Sequence, residues 1–239
     1  QLVVTTDAVV AGVHFFADDP ADTIAQKALG VNLSDLAAKG ADPLGFVLSL
    51  IMPKETSEAW LAGFASGLQA MSAAAACPLL GGDTVISKSP MTLSITAFGS
   101  VPAGQMVRRD GAQAGDRLFV TGTIGDAAIG LKARLDSRGG SPWPLAEDHL
   151  GFLDQRYLVP RPRFAIASVL RSHAHAAMDI SDGFVGDLSK MIALAGMGAD
   201  IRLDDVPHSV AARAAIRLRP ELVETALTGG DDYEVLAAV

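Results

Sequence analysis

Apolar and β-branched residues crowd LVVTTDAVV at positions 2–10, the pattern of a buried strand, which is expected to end near Asp7. The period then changes. In ADTIAQKALGVNLSDLAAKG (21–40), apolar side chains fall at Ile24, Ala28, Val31 and Leu36, a helical spacing. Asp22 or Thr23 is placed to cap the start of that helix, and Gly40 occupies its C-terminal cap position. LGFVLSLIMP (44–53) reads as a second buried strand stopped by Pro53, and an alanine-rich helix follows from Ser57 towards Ala76. CPLLGGDT (77–84) is expected to form a short strand ending in a glycine turn. MTLSITAFGSV (91–101) alternates Leu93, Ile95 and Ala97 with Thr92, Ser94 and Thr96, as a half-exposed strand does.

A connector, VPAG (101–104), separates this half from the next. There the strand RLFVTG (117–122) runs through a glycine turn into a helix over 123–135, and SRGGSPWP (137–144) reads as loop. RYLVPRPRF (156–164) leads into a further helix. An apolar approach, Ala176 to Met178, ends in Asp179, Ser181 and Asp182, and a helix follows with Phe184, Leu188, Met191, Ile192 and Ala195 on one face. The last element, ALTGGDDYEVLAAV (226–239), is a turn feeding a strand. Strands and helices mix throughout, which predicts two domains of α/β or α+β class joined near residues 102–110. The expected division is 1–104 and 105–239.

Composition narrows the function. Hydrophobic residues make up 49% of the 239 and charged ones 19%, so the chain is globular. A net charge of −8 argues against a nucleic-acid surface. No apolar run is long enough to span a bilayer, and the single cysteine, Cys77, cannot form an internal disulfide, which fits a reducing cytoplasm.

The candidate chemistry is carried by acids. Asp7 ends a strand, Asp83 and the pair Asp231–Asp232 follow glycines, Asp179 and Asp182 stand where a strand meets a helix, and Asp35 lies within a helix. Strand ends and helix starts are where α/β folds build binding crevices, and carboxylates converging there repel one another unless a hard cation sits between them. An ordinary explanation stands beside this one: Asp182 as a helix cap, the Gly-Asp pairs as turn chemistry, Asp35 as an i,i+4 partner of Lys39. TGTIGDAAIGLK (121–132) matches neither common nucleotide fingerprint, although a phosphate-binding helix start and a plain turn both remain open there. No Gly-x-Ser-x-Gly elbow and no helical histidine pair is present.

Seven ordered blocks carry a family resemblance: TTDAVVAGVHF (5–15), KALGVNLSDLAAKGADP (27–43), LLGGDT (79–84), RRDGAQAGD (108–116), VTGTIGDAAIG (120–130), MDISDGFVGDL (178–188) and TGGDDYE (228–234). Over essentially its whole length the chain resembles the bacterial thiamine-monophosphate kinases, relatives of aminoimidazole ribonucleotide synthetase and selenophosphate synthetase. The resemblance implies transfer of the ATP γ-phosphoryl group to thiamine monophosphate. It implies a first domain whose mixed sheet joins its twin in a homodimer, a second α/β domain, and ATP in the cleft between them. By the same resemblance Thr6, Asp7, Asp35, Asp83, Asp179 and Asp182 hold several Mg²⁺ ions, with Asp35, Asp83 and Asp179 central to catalysis. Gly82, Asp83, Arg109 and Ser181 contact ATP, and His14 and Asp232 contact the thiamine phosphate. A sister synthetase would keep the ATP and metal residues with a different acceptor pocket, and a non-catalytic homologue would keep the acids as a structural ion site.

The ends of the chain depart from the family pattern. A preceding Gly-Asp-Asp segment has no counterpart before Gln1, and neither has the aromatic residue that packs on thiamine in the family's later region. YEVLAAV (233–239) is expected to be a strand with nothing after it to cover it. Residues 1–239 are therefore expected to be part of a longer protein.

Overall fold

The computed structural model describes all residues, 1–239, and they form two units: Gln1–Met106 with Phe164–Arg171, and Val107–Arg163 with Ser172–Val239. In the first, β1 (Leu2–Val10), α1 (Ala21–Ala38), β2 (Asp42–Met52), α2 (Glu58–Ala74), β3 (Leu79–Ile86) and β4 (Thr92–Ser100) follow one another along the chain. Their strands make a mixed sheet of order β1-β4-β2-β3, in which only the β2–β3 pair is parallel. The alternation in β4 settles which face is buried: Leu93, Ile95 and Ala97 are covered, while Thr92, Ser94 and Thr96 are partly open. Helix α1 packs against β1, β4 and β2 on that face and against α2 on its other side. A helix enclosed in this way has to be apolar nearly all round. Leu29, Leu33 and Leu36 are fully buried, each contributing about 1.5–3 kcal/mol. Asp22 and Thr23 do not cap α1; Pro20 precedes it, and the Thr23 hydroxyl donates back to the Pro20 carbonyl at 2.8 Å. Gly40 does end the helix, at φ +67°.

The predicted glycine turn at residues 81–82 is instead strand. Gly81 and Gly82 run inside β3 opposite Val47 and Leu48 of β2. A side chain at Gly82 would place Cβ 1.9 Å from the Leu48 carbonyl oxygen, so the glycine there permits close pairing of strands.

The second unit continues with β5 (Leu118–Val120), α3 (Asp126–Arg138) and α4 (Glu147–Leu158). The chain then joins the first unit over Phe164–Arg171, where α5 (Ala167–His173) begins, and Arg171 reaches the Gly40 carbonyl and, at 3.5 Å, Asp42. It returns as β6 (Ala176–Asp179), α6 (Phe184–Leu194), α7 (Val210–Leu218), α8 (Leu222–Thr228) and β7 (Val235–Ala238). The sheet has the order β5-β7-β6, antiparallel throughout. The expectation of an uncovered closing strand is corrected here. β7 is the central strand, all four of its residues are buried, and Leu236 and Ala238 pack into a core with Met178, Ile180, Leu188 and Met191. No helix is long and apolar enough to cross a membrane.

Candidate functional site

In β1 the side chains of Thr5 and Asp7 share one face because a strand repeats every two residues. In α1, Asn32 and Asp35 share a face because they are three apart. The two elements bring these faces together. Thr5 Oγ1 donates to Asp35 Oδ2, and the Asp7 amide donates to Asn32 Oδ1 at 3.1 Å. Asn32 is fully buried and also donates to the Ala28 carbonyl. Asp7 is pushed up to about 6, first by burial and then by the charge of Asp35 and the hydrogen bond between them. A carboxylate raised by a neighbouring acid in this way suits a hard divalent cation. Thr6 lies on the opposite face of β1, where its hydroxyl bonds the Ile95 carbonyl and the Thr96 hydroxyl.

Asp83 stands in β3 opposite Ser49, exposed, with its carboxylate accepting from the Thr84 amide at 2.9 Å. His14 follows a tight turn that Gly12 makes at φ +81°. The Val10 amide donates to His14 Nδ1 at 3.1 Å, so the ring hydrogen resides on Nε2, an arrangement suited to donating to an anion.

In the second unit, Asp179 ends β6 in a buried position, and Ile180, Ser181 and Asp182 lead to Gly183 at φ +107°. Asp182 does not cap α6. The capping runs the other way: Asp187, 1% exposed in the first turn of α6, accepts from the Ser181 amide at 2.9 Å and the Asp182 amide at 2.8 Å. Lys190 bridges Asp187, at 2.9 Å, and Asp182. Upstream, Arg108 is held by both oxygens of Asp110, while Arg109 is exposed.

The resemblance assigns Asp232 to the thiamine phosphate. It is 1% exposed, and its carboxylate accepts from the Gly125 amide at 2.7 Å and the Ala127 amide at 3.4 Å, at the start of α3. Burial pushes it up to about 7 against the opposing pull of those amides. The start of α3 is thus filled by a carboxyl group of the chain itself, which occupies the amides a ligand phosphate would need. Beside it Glu234, fully buried, accepts from Arg156, Arg163 and Thr121, and Asp126 accepts from Thr123 and Ser209.

No group of three or more His, Cys, Asp and Glu side chains closes on one point by itself. The acids come as the pair Asp7–Asp35 and as Asp182 paired with lysine. A concavity of about 860 Å³ in the second unit, between Arg117–Val120 of the β5 region and Met197–Val206, is lined by none of the candidate residues. Sequence reasoning missed Thr5, Asn32, Asp187 and Lys190. The i,i+3 relation of Asn32 to Asp35 was the one legible signal among them.

Two family models divide the chain: AIR synthase related protein, N-terminal domain, over residues 1–101, and AIR synthase related protein, C-terminal domain, over 113–236. The thiamine-monophosphate kinase of Caulobacter vibrioides is 42% identical over the whole chain, which spans 66% of that protein. The corresponding enzyme of Salmonella typhimurium is 41% identical, with 71% of its length spanned. The crystal structure of thiamine-monophosphate kinase from Stenotrophomonas maltophilia superposes with a TM-score of 0.91 at 41% identity, covering 100% of this chain and 74% of that one. The structure of AaThiL complexed with AMPPCP and TMP gives the same TM-score at 31% identity, covering 99% of this chain and 74% of that one. With both units matched in order and this level of identity along the full chain, the protein belongs to the AIR synthase-related family and, within it, to the thiamine-monophosphate kinases.

Proposed function

We propose that the protein transfers the γ-phosphoryl group of ATP to the phosphate of thiamine monophosphate, giving thiamine diphosphate and ADP. Kinship with kinases of this name supports the reading, as does a relative's complex with an ATP analogue and TMP. The observation in this chain that carries it is the Asp7–Asp35 pair, two acids held together at a cost that a cation would remove.

The acceptor is a phosphate oxygen, already ionised at neutral pH, so the reaction needs no general base. That oxygen forms a bond to the γ-phosphorus in line with the bond to the β–γ bridging oxygen, which breaks and leaves with ADP. The work left to the protein is positioning and charge stabilisation. Mg²⁺ ions would supply charge neutralisation on the phosphates, with Asp7, Asp35 and Asp83 of the first unit and Asp179 and Asp182 of the second as carboxylate ligands and Thr6 available through its backbone carbonyl. Arg109, the Ser181 hydroxyl and the Gly82 backbone orient the ATP phosphates, and His14 Nε2–H donates to the phosphate of the acceptor.

The exposed faces support a homodimer. All eight residues of β3 are exposed, including Leu79, Leu80, Val85 and Ile86, at an unpaired sheet edge. The buried free thiol of Cys77 is in keeping with the cytoplasm.

Incubation with γ-labelled ATP, Mg²⁺ and thiamine monophosphate tests the reading, with labelled thiamine diphosphate as the expected product. Label appearing only with another acceptor would assign a sister synthetase. Metal-dependent stabilisation without turnover would leave a non-catalytic ion site.

A further inference from the structure

Asp232 sits in a turn that cannot move independently of the chain around it. On its N-terminal side, Gly230 is so close to Ser181 that a Cβ there would lie 2.1 Å from the Ser181 carbonyl oxygen. The Asp231 amide donates to that same oxygen at 3.0 Å, and the Tyr233 amide to the Ile180 carbonyl at 2.9 Å. Ile180 returns a bond to the Glu234 carbonyl at 2.8 Å. The turn over 230–234 is therefore laced to the backbone of Ile180–Ser181.

Its conformation is costly. Asp231 at φ +72° and Tyr233 at φ +50° are both in the left-handed region, which non-glycine residues avoid and which persists only where surrounding contacts impose it. Asp232, between them, is the anchor: its carboxylate reaches across to the amides of Gly125 and Ala127. Gly125 is itself fixed, at φ +89° with no room for a side chain against Ala226. Arg156, 3% exposed, holds the turn from a third side by donating to the Asp232 carbonyl at 3.1 Å.

We propose that Asp232 is a positioning residue, not a substrate contact: by clamping the start of α3 it fixes the strained 230–234 turn and, through that turn, the backbone placement of Ser181. This rests on the kinase reading, in which Ser181 meets ATP. A side chain enclosed among backbone amides has no face to offer a substrate, whereas a displaced Ser181 backbone carries with it the hydroxyl that meets the ATP phosphates at every turnover. Loss of the clamp therefore lowers kcat and affects both substrates, where loss of a direct contact would affect thiamine monophosphate alone.

The full chain is compared with Asp232→Asn, which keeps one acceptor oxygen, and Asp232→Ala, which keeps none. Amide hydrogen exchange is read at Gly125, Ala127, Asp231 and Tyr233, and kcat and both KM values are measured. The expected result is graded: about tenfold loss of protection at these amides in the alanine variant and less in the asparagine variant. kcat should fall in the same order by about tenfold or more, and the two KM values should move by the same factor. A rise confined to the KM for thiamine monophosphate, with exchange unchanged, would overturn the proposal in favour of direct contact. Lost protection with unaltered kinetics, or failure of both variants to fold, would overturn it in favour of a purely structural group. If the wild-type protein phosphorylates no thiamine monophosphate, the kinase reading fails, while the exchange measurements still decide whether the clamp exists.

Discussion

A single carboxylate pair already makes a pH-dependent statement. Asp7, at about 6 in the folded protein against an ordinary carboxylate value of 3.8, binds its proton more tightly folded than unfolded. Stability from this group is therefore fully present below pH ~4 and is lost as pH rises towards 6. Above that, Asp7 carries its charge beside Asp35, which disfavours it. Asp7→Asn should raise the melting temperature of the metal-free protein at pH 8 by a degree or a few, modest because Asp7 is partly solvated, on the order of 1 kcal/mol or less. The same variant should lose the stabilisation that Mg²⁺ gives the wild type. A melting curve with and without Mg²⁺ at pH 5 and pH 8 checks both; an unchanged Mg²⁺ shift in the variant would remove Asp7 from the metal site. These acids could be picked out of the sequence as charges within apolar stretches, but neither stands at the end of its element: β1 does not end near Asp7 and runs on to Val10, and Asp35 lies inside α1. Their pairing could not be picked out, because Thr5 and Asp35 meet only after a strand and a helix thirty residues apart have packed. Asp187 was hidden for a different reason. Within GFVGDLSKMIAL it reads as one polar position on an amphipathic helix, and its bonds to the two amides before the helix require the reversed turn that Gly183 makes. Asp187→Ala strips a charged acceptor from both amides in a buried place, at about 2–3 kcal/mol. Chemical denaturation should show that loss, together with weakened ATP binding.

At the level of elements, the regular patterns were read well and the short ones were not. α1, β2, α2 and β4 carry long stretches of one period, and their structural bounds fall within a few residues of the expected ones, whereas β1, expected to be buried, covers only Val3 and Val9 because it is an edge strand. α4 was missed because EDHLGFLDQRYL mixes charge through its turns, and RYLVPRPRF, with its prolines, reads only as a lead into the next helix. α7 and α8 span nine and seven residues, too short for periodicity to declare itself. The glycines of β3 mark a close approach, which resembles a turn in sequence because both need the absence of a side chain. That distinction is testable. Gly82→Ala would drive Cβ into the Leu48 carbonyl, forcing β3 away from β2 at about 1–3 kcal/mol. A turn glycine with negative φ would tolerate alanine. Unchanged stability in this variant would contradict the parallel β2–β3 pairing.

For the molecule as a whole, two α/β units and their order were legible from seven sequence blocks, but neighbour relations within the sheets were not. The apolar run 235–238 says that a strand is buried without saying by which strands; pairing with β5 and β6, more than a hundred and about sixty residues upstream, supplies the answer. The exposed apolar edge at β3 belongs to the same scale. Light scattering should give twice the 24.7 kDa mass of this chain. Leu80→Glu, which places a charge near the start of that edge, should shift the protein towards monomer without unfolding it, because Leu80 is 62% exposed in the single chain. A monomeric wild type would dissolve the dimer proposal.

The excursion of Phe164–Arg171 into the first unit has a consequence for how the protein is made. A ribosome that has released residues 1–106 has delivered all four strands of the first sheet, but not Ala167 and Leu170, which are buried in the finished unit, nor Arg171, which reaches the end of α1. That unit reaches its final form only after residues 107–163, nearly half of the second, have also emerged. A gene divided at residue 107 would therefore not yield two self-sufficient fragments: the first would lack its last piece, and the second would carry that piece with nowhere to place it.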